Sequence, residues 1–283
     1  MDAQRPPTTA EAWSRRANAV FLVAVAVFFL LPLWVMVCGS LKSLPEMRET
    51  SILLPPLHPV LAPWRTAYDA LAPNLGNSLW ITVPSTLLST LLGAFTAYAM
   101  SFGRIRWFGT RLFQVLLLAA FIPIQLFLFP LALTLAYGGL FGTLAGVVVV
   151  HAVLGLPITT ILFRNHFDQL PRELIRAAQI DGAGYYTIFS AIVLPLSLPM
   201  AAVVLLLQFT GIWNDFIVAL VFAGSANVPM TVALNNMVGT TFGERAYDVE
   251  MAGALLSAAL PLLLYFFSGR MFVRGILSGA VKG

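Results

Sequence analysis

In 283 residues the chain carries 59% hydrophobic and 10% charged residues, 16 Lys and Arg against 12 Asp and Glu, and a mean hydropathy of +0.87. Soluble domains hold roughly 25% charged residues, so a fold surrounded only by water is excluded and the surplus apolar surface must face lipid. The single cysteine, Cys38, excludes an intrachain disulfide and a cysteine metal cluster, and His58, His151 and His166 lack ligand spacing.

Uncharged runs long enough to cross about 30 Å of hydrocarbon at 1.5 Å per residue predict six transmembrane helices, at approximately 19–38, 79–100, 112–135, 140–163, 188–212 and 251–268. The fold class is therefore an all-α, polytopic membrane protein, with a tail over 1–18 and one transmembrane domain over 19–283. The apolar core of the first run exceeds the 7–15 residues usual for a signal peptide, and Met36 and Val37 are large where cleavage needs small side chains. It is read as an uncleaved anchor.

Residues 39–78 hold Pro45, Pro55, Pro56, Pro59, Pro63 and Pro73 and are expected to be extended or turning. Gly138, Gly142 and Gly146 recur every four residues where the fourth span begins, a small-residue stripe for close helix packing. His151 lies mid-span, as an interhelical hydrogen-bonding group or a contact on a translocation path. The apolar run 216–223 is too short to cross as a helix. Residues 213–250 form an outer loop with acids at Asp215, Glu244, Asp248 and Glu250 and turn glycines at 224, 239 and 243.

An even number of spans puts both termini on one side. With the N-terminus inside, 12 of the 16 basic residues fall in inside segments and only Lys42, Arg48, Arg65 and Arg245 fall outside, as the positive-inside tendency requires.

The inside segment between the fourth and fifth spans, 164–187, has its own pattern. Pro171 suits a helix start and Glu173 its first turn, where the dipole favours an acid. Leu174, Ala177, Ala178 and Asp181 follow at three- and four-residue spacings, and Gly182 permits a turn with positive φ. A helix-turn-helix elbow is predicted.

These residues carry a resemblance. Ala177-Ala178-x-x-Asp181-Gly182-Ala183, followed by Leu194-Pro195, is similar to the cytoplasmic "EAA" loop of the permease subunits of bacterial ABC importers. Arg176 stands where that family has a glutamate, with Glu173 one turn earlier. The six-span layout, Asn77-Ser78-Leu79 before the second span, Trp213-Asn214-Asp215 after the fifth and the terminal Gly279-Ala280-Val281-Lys282-Gly283 resemble the carbohydrate-importer branch, in particular the smaller permease of the maltose transporter.

The resemblance implies a non-enzymatic subunit in the cytoplasmic (inner) membrane of a prokaryote. It implies partnership with a second permease, two ATPase subunits and an extracytoplasmic sugar-binding protein. Glu173, Leu174, Ala177, Ala178, Asp181, Gly182 and Ala183 would dock an ATPase. Asn235, Asn236 and Gly239 would reach the binding protein. No cofactor is implied for this chain: it has no G-x-x-x-x-G-K-[ST] cradle, so ATP and Mg belong to the partner ATPases. Sugars need hydrogen-bonding groups and aromatic faces, which makes Trp213, Asn214 and Asp215 candidates for the substrate path, or else a cap on a helix end. An ion-coupled secondary transporter would want inverted repeats and buried carboxylates, a membrane enzyme a nucleophile with its base; neither pattern is seen. A non-sugar solute such as glycerol phosphate remains an alternative cargo, and no nucleic-acid partner is indicated.

Overall fold

Among the described residues every element is helical, as a chain that must satisfy its backbone inside lipid requires. The computed structural model describes the backbone of residues 9–103, 106–239 and 245–280, with side chains over 13–103, 109–237 and 245–269. Residues 1–8 of the expected tail, Arg104, Gly243, Glu244 and the terminal 281–283 lie outside the described residues.

The chain divides into two compact units, Met1–Asp69 with Met237–Leu256, and Ala70–Asn236 with Ser257–Gly283. In the first, α1 (Thr9–Ser40) is apolar on every side and presents Phe28, Phe29 and their neighbours outward, the surface of a helix wrapped by lipid. A short helix, α2 (Leu44–Glu49), is capped by Ser43, whose hydroxyl accepts from the Glu46 N–H. Lys42, expected in an outer loop, is fully buried, and its ammonium donates to Thr50 Oγ1 at 2.9 Å and the Ser51 carbonyl at 2.7 Å. Those bonds offset the cost of burying the charge.

The helix α3 (Ala62–Phe102) begins 17 residues before the expected second span, and Pro63 and Pro73 lie within it. Pro63 occupies the first turn, where a missing N–H costs nothing.

The second unit is built on α3, α6 (Leu144–Phe167) and α10 (Leu198–Trp213). Gly93 and Gly155 let them approach: a Cβ on Gly93 would run into the Thr159 side chain, and one on Gly155 would sit 2.8 Å from Gln208 Oε1 and from Ser89 Cβ. Thr159 Oγ1 lies 3.0 Å from the Ser89 carbonyl and 2.9 Å from that of Gly155, so the contact is both tight and hydrogen-bonded. One apolar cluster gathers Tyr98, Phe163, Phe167, Ile175, Ile188 and Val204; another gathers Ile81, Leu135, Val147, Ile212, Val218 and Phe222.

Three further expectations change. The third expected span, 112–135, is two helices, α4 (Arg106–Phe121) and α5 (Leu128–Tyr137), parted at Pro123 and a single 3₁₀ turn over Ile124–Leu126. The fifth is broken as well: α8 (Tyr185–Ile188) passes through a π turn, Phe189–Val193, and α9 (Leu194–Leu196) into α10, with a bend of 78° at Ser197. Pro195 and Pro199 flank that bend and remove two backbone donors. Four helices among the described residues are long and apolar enough to cross a membrane, five if the bent pair is one span.

The glycine stripe is the third change. Only Gly146 is in α6, while Gly139 and Gly142 have φ of 67° and 77° in the turn before it.

Beyond α10 come α11 (Ile217–Phe222), α12 (Met230–Gly239) and α13 (Tyr247–Ala280).

Candidate functional site

The elbow is assembled from its own sequence outward. Helix α7 (Arg172–Ile180) has Pro171 as its N-cap, so it begins one residue later than expected, and it carries Glu173 in its first turn. At its other end the Ala183 N–H donates to the Ala178 carbonyl at 2.9 Å and the Gly182 N–H to that of Gln179 at 3.1 Å. This pair of bonds is a Schellman motif, which needs a left-handed residue at Gly182. Its φ is +82°. The chain then enters α8 through Gly184.

The two faces of α7 are unlike. Ile175 and Ala178 are buried in the cluster around Tyr98, Phe163 and Ile188, and Ala183 packs on the same cluster. Glu173, Leu174, Ala177 and Asp181 are exposed. Ala178 therefore anchors the helix from below, apart from the residues with which its spacing had grouped it. Ile180, 85% exposed, belongs to the outer face and was not singled out from sequence, although it follows Glu173 and Ala177 at helical spacing.

What bolts α7 to the membrane helices was also missed. The Arg172 guanidinium donates to the Ser101 carbonyl at 2.8 Å, lies 3.4 Å from Asp168 Oδ1, and stacks over Phe102 at 4.6 Å. Ser101 Oγ donates to the same carboxylate at 2.9 Å. Tyr98 OH donates to the Tyr185 carbonyl at 2.9 Å, with the two rings 4.5 Å apart. The Asp168–Arg172 spacing of four was the available signal.

The three path candidates separate in the structure. Trp213 is 3% exposed, stacks on Phe209 and donates its indole N–H to the Ser257 carbonyl at 2.9 Å, so it braces helices. Asn214 caps α10 and is exposed. Asp215 accepts the Ala219 N–H at 3.2 Å, capping α11, and its Oδ2 lies 3.7 Å from His151 Nε2. Burial raises its carboxyl pKa, and the N–H groups of Ala219 and Val218 oppose that shift. Ser78, Thr82, His151, Asp215 and Thr231 line a small polar space of about 10 Å³ at this junction. Ser78 Oγ accepts the Met230 N–H at 2.8 Å and Asn77 donates to the Val228 carbonyl at 3.1 Å. Asn235 and Asn236 are exposed near the end of α12, whose last residue is Gly239. They sit on a helix, where an outer loop had been expected.

Residues 89–278 match the family described as binding-protein-dependent transport system inner membrane component. The chain belongs to this family. Its members are the membrane-embedded permeases of importers whose ATP hydrolysis lies in separate subunits. This permease is 35% identical over 283 residues to the osmoprotective compounds uptake permease protein GgtD of Synechocystis sp., covering 96% of this chain and 94% of that one. It is 31% identical over 270 residues to the glucose import system permease protein GlcU of Saccharolobus solfataricus, covering 93% and 94%. Its fold matches a chain of a bacterial ABC transporter involved in the import of the acidic polysaccharide alginate, with a TM-score of 0.78 at 21% identity, over 95% of this permease and 100% of that chain.

Proposed function

We propose that this permease forms, with a second permease, the pathway of an ABC importer for a carbohydrate, and that two ATPase subunits drive it through elbows of the α7 kind. The observation that carries the reading is the exposed outer face of α7, Glu173, Leu174, Ala177 and Asp181, aimed by the Gly182–Ala183 turn and anchored by Ile175 and Ala178. When the ATPases close around ATP, each docked helix moves as a rigid body and the bundle exchanges inward- for outward-open states. Six crossings are the proposed topology, with α4 and α5 together making the third and α8 to α10 the fifth. The charge asymmetry supports a cytoplasmic side for both termini and 164–187. An extracytoplasmic sugar-binding protein delivers cargo near Asn235, Asn236 and Gly239, and Asp215 with Asn214 stands closest to the path.

Purified with its partners, the complex is expected to show ATPase activity stimulated by a binding protein loaded with a mono- or oligosaccharide. The name of GgtD supports a second cargo class, osmoprotective compounds, so the panel includes both. Stimulation only by the latter would replace the sugar, and stimulation without a binding protein would overturn the importer reading. For the topology, a cysteine placed at Gln179 should react with an impermeant maleimide only after the cells are opened. Labelling of intact cells would invert it.

A further inference from the structure

A cavity of about 580 Å³ lies beside the elbow, between the end of α3, the start of α4, the end of α6 and the flank of α7. Three guanidinium groups line it, those of Arg164, Arg172 and Arg176, against one carboxylate among its described lining residues, Asp168. Asp168 is shared: Arg164 Nε approaches it at 3.7 Å, Arg172 at 3.4 Å, and the Ser101 hydroxyl donates to it. Two positive charges stay uncompensated. Arg176 pairs with no described residue, and Arg164 Nη1 is buried without a hydrogen-bond acceptor while its guanidinium stacks on Phe113 at 4.0 Å. Three guanidinium groups against one shared carboxylate leave a charge deficit on the cavity wall that an anionic ligand would fill.

We infer that this cavity binds the phosphodiester head group of an acidic phospholipid. The planar donors of Arg164 and Arg176 suit two oxygens of one phosphate, and basic clefts between membrane helices are where such head groups are held. The apolar part of the ligand is argued from α4. From Thr110 at the cavity wall, helical spacing leads to Leu117, Leu118 and Phe121, the last two 68% and 80% exposed. An anionic cleft-filler with acyl chains matches both halves; free phosphate or a carboxylate side chain matches only the first. The bound lipid would tie α6 to the elbow, and Arg176, which stands where a glutamate does in the resembling pattern, gives this chain the charge that completes the site.

The inference rests on the membrane reading of α3 and α6, and its test uses neither transport nor ATP. The full detergent-purified complex is incubated with phosphatidylglycerol or phosphatidylcholine and examined by native mass spectrometry. Retention of one phosphatidylglycerol per copy of this chain is expected, with phosphatidylcholine lost. Arg176→Gln, at an exposed position outside the core, should weaken retention about fivefold, the factor that one basic residue near an acidic lipid supplies. Arg164→Gln should weaken it further, and the Arg176 variant keeps the test valid if that one fails to fold. Equal retention by both variants, equal retention of phosphatidylcholine, or loss of the lipid on adding inorganic phosphate would each overturn the proposal. So would a photoreactive residue at Thr110 that crosslinks to an ATPase peptide and not to lipid.

Discussion

Replacing Gly182 by valine is expected to leave the permease inserted and abundant while uptake falls about tenfold. The residue has φ +82°, and no atom lies within 4 Å of where its Cβ would be, so the substitution meets no steric neighbour. Its cost is in the backbone alone, roughly 1–2 kcal/mol for a β-branched residue held left-handed. A penalty of that size lowers the population of correctly aimed elbows about tenfold. Gly182→Asn separates aim from bulk, because asparagine tolerates this conformation, and it should keep most of the uptake that valine loses. Equal loss in both variants, measured as substrate uptake at matched membrane levels, would mean that the space around Gly182 matters and its backbone does not.

A large loss of stability is expected at Gly93. Alanine there must displace Thr159, which is itself fixed between the Ser89 and Gly155 carbonyls. Overpacking of this kind costs roughly 1–3 kcal/mol, and valine costs more. Gly76 provides the comparison within the same helix, since nothing approaches its Cβ position, and Gly76→Ala should gain up to about 1 kcal/mol from helix propensity. Thermal unfolding of the detergent-purified permease followed by size exclusion would rank Gly93→Ala below the parent and Gly76→Ala at or above it. The reverse order would show that α3 and α6 do not meet through Gly93.

The helix over Arg172–Ile180 and its glycine stop were legible because each of their signals is local. Pro171, Glu173 and Gly182 speak for a helix start, its polarity and its stop without reference to distant residues. Which face of α7 turns inward was not legible, because Ile175 and Ala178 are buried by Tyr98 and Phe163, far away in the chain. Spacing of three and four admits both faces, and the grouping of Ala178 with Leu174 and Asp181 crossed the boundary between them. Hydropathy windows joined α4 to α5 because Pro123 interrupts a helix without interrupting an apolar run. The opposite error befell residues 62–78, where Pro63 and Pro73 suggested a loop although the first is harmless in an opening turn. The Gly138–Gly142–Gly146 periodicity was real, but two of the turns around it need positive φ at Gly139 and Gly142, which a spacing rule does not reveal. Trp213 has the aromatic face and donor that suit a sugar, but that it is buried with its indole N–H on the Ser257 carbonyl was not legible, because Ser257 lies 44 residues away.

The 78° bend at Ser197 gives the segment from α8 to α10 the form of a lever. Helix α10 beyond it has 16 residues, an arm of about 24 Å. An opening or closing of ten degrees at the bend would carry Trp213 sideways by roughly 4 Å. If α7 is driven by an ATPase as proposed, a small swing of it, passed through α8, the π turn and α9, would be multiplied at the far end of the arm, where the Trp213 indole is bonded to the Ser257 carbonyl of α13.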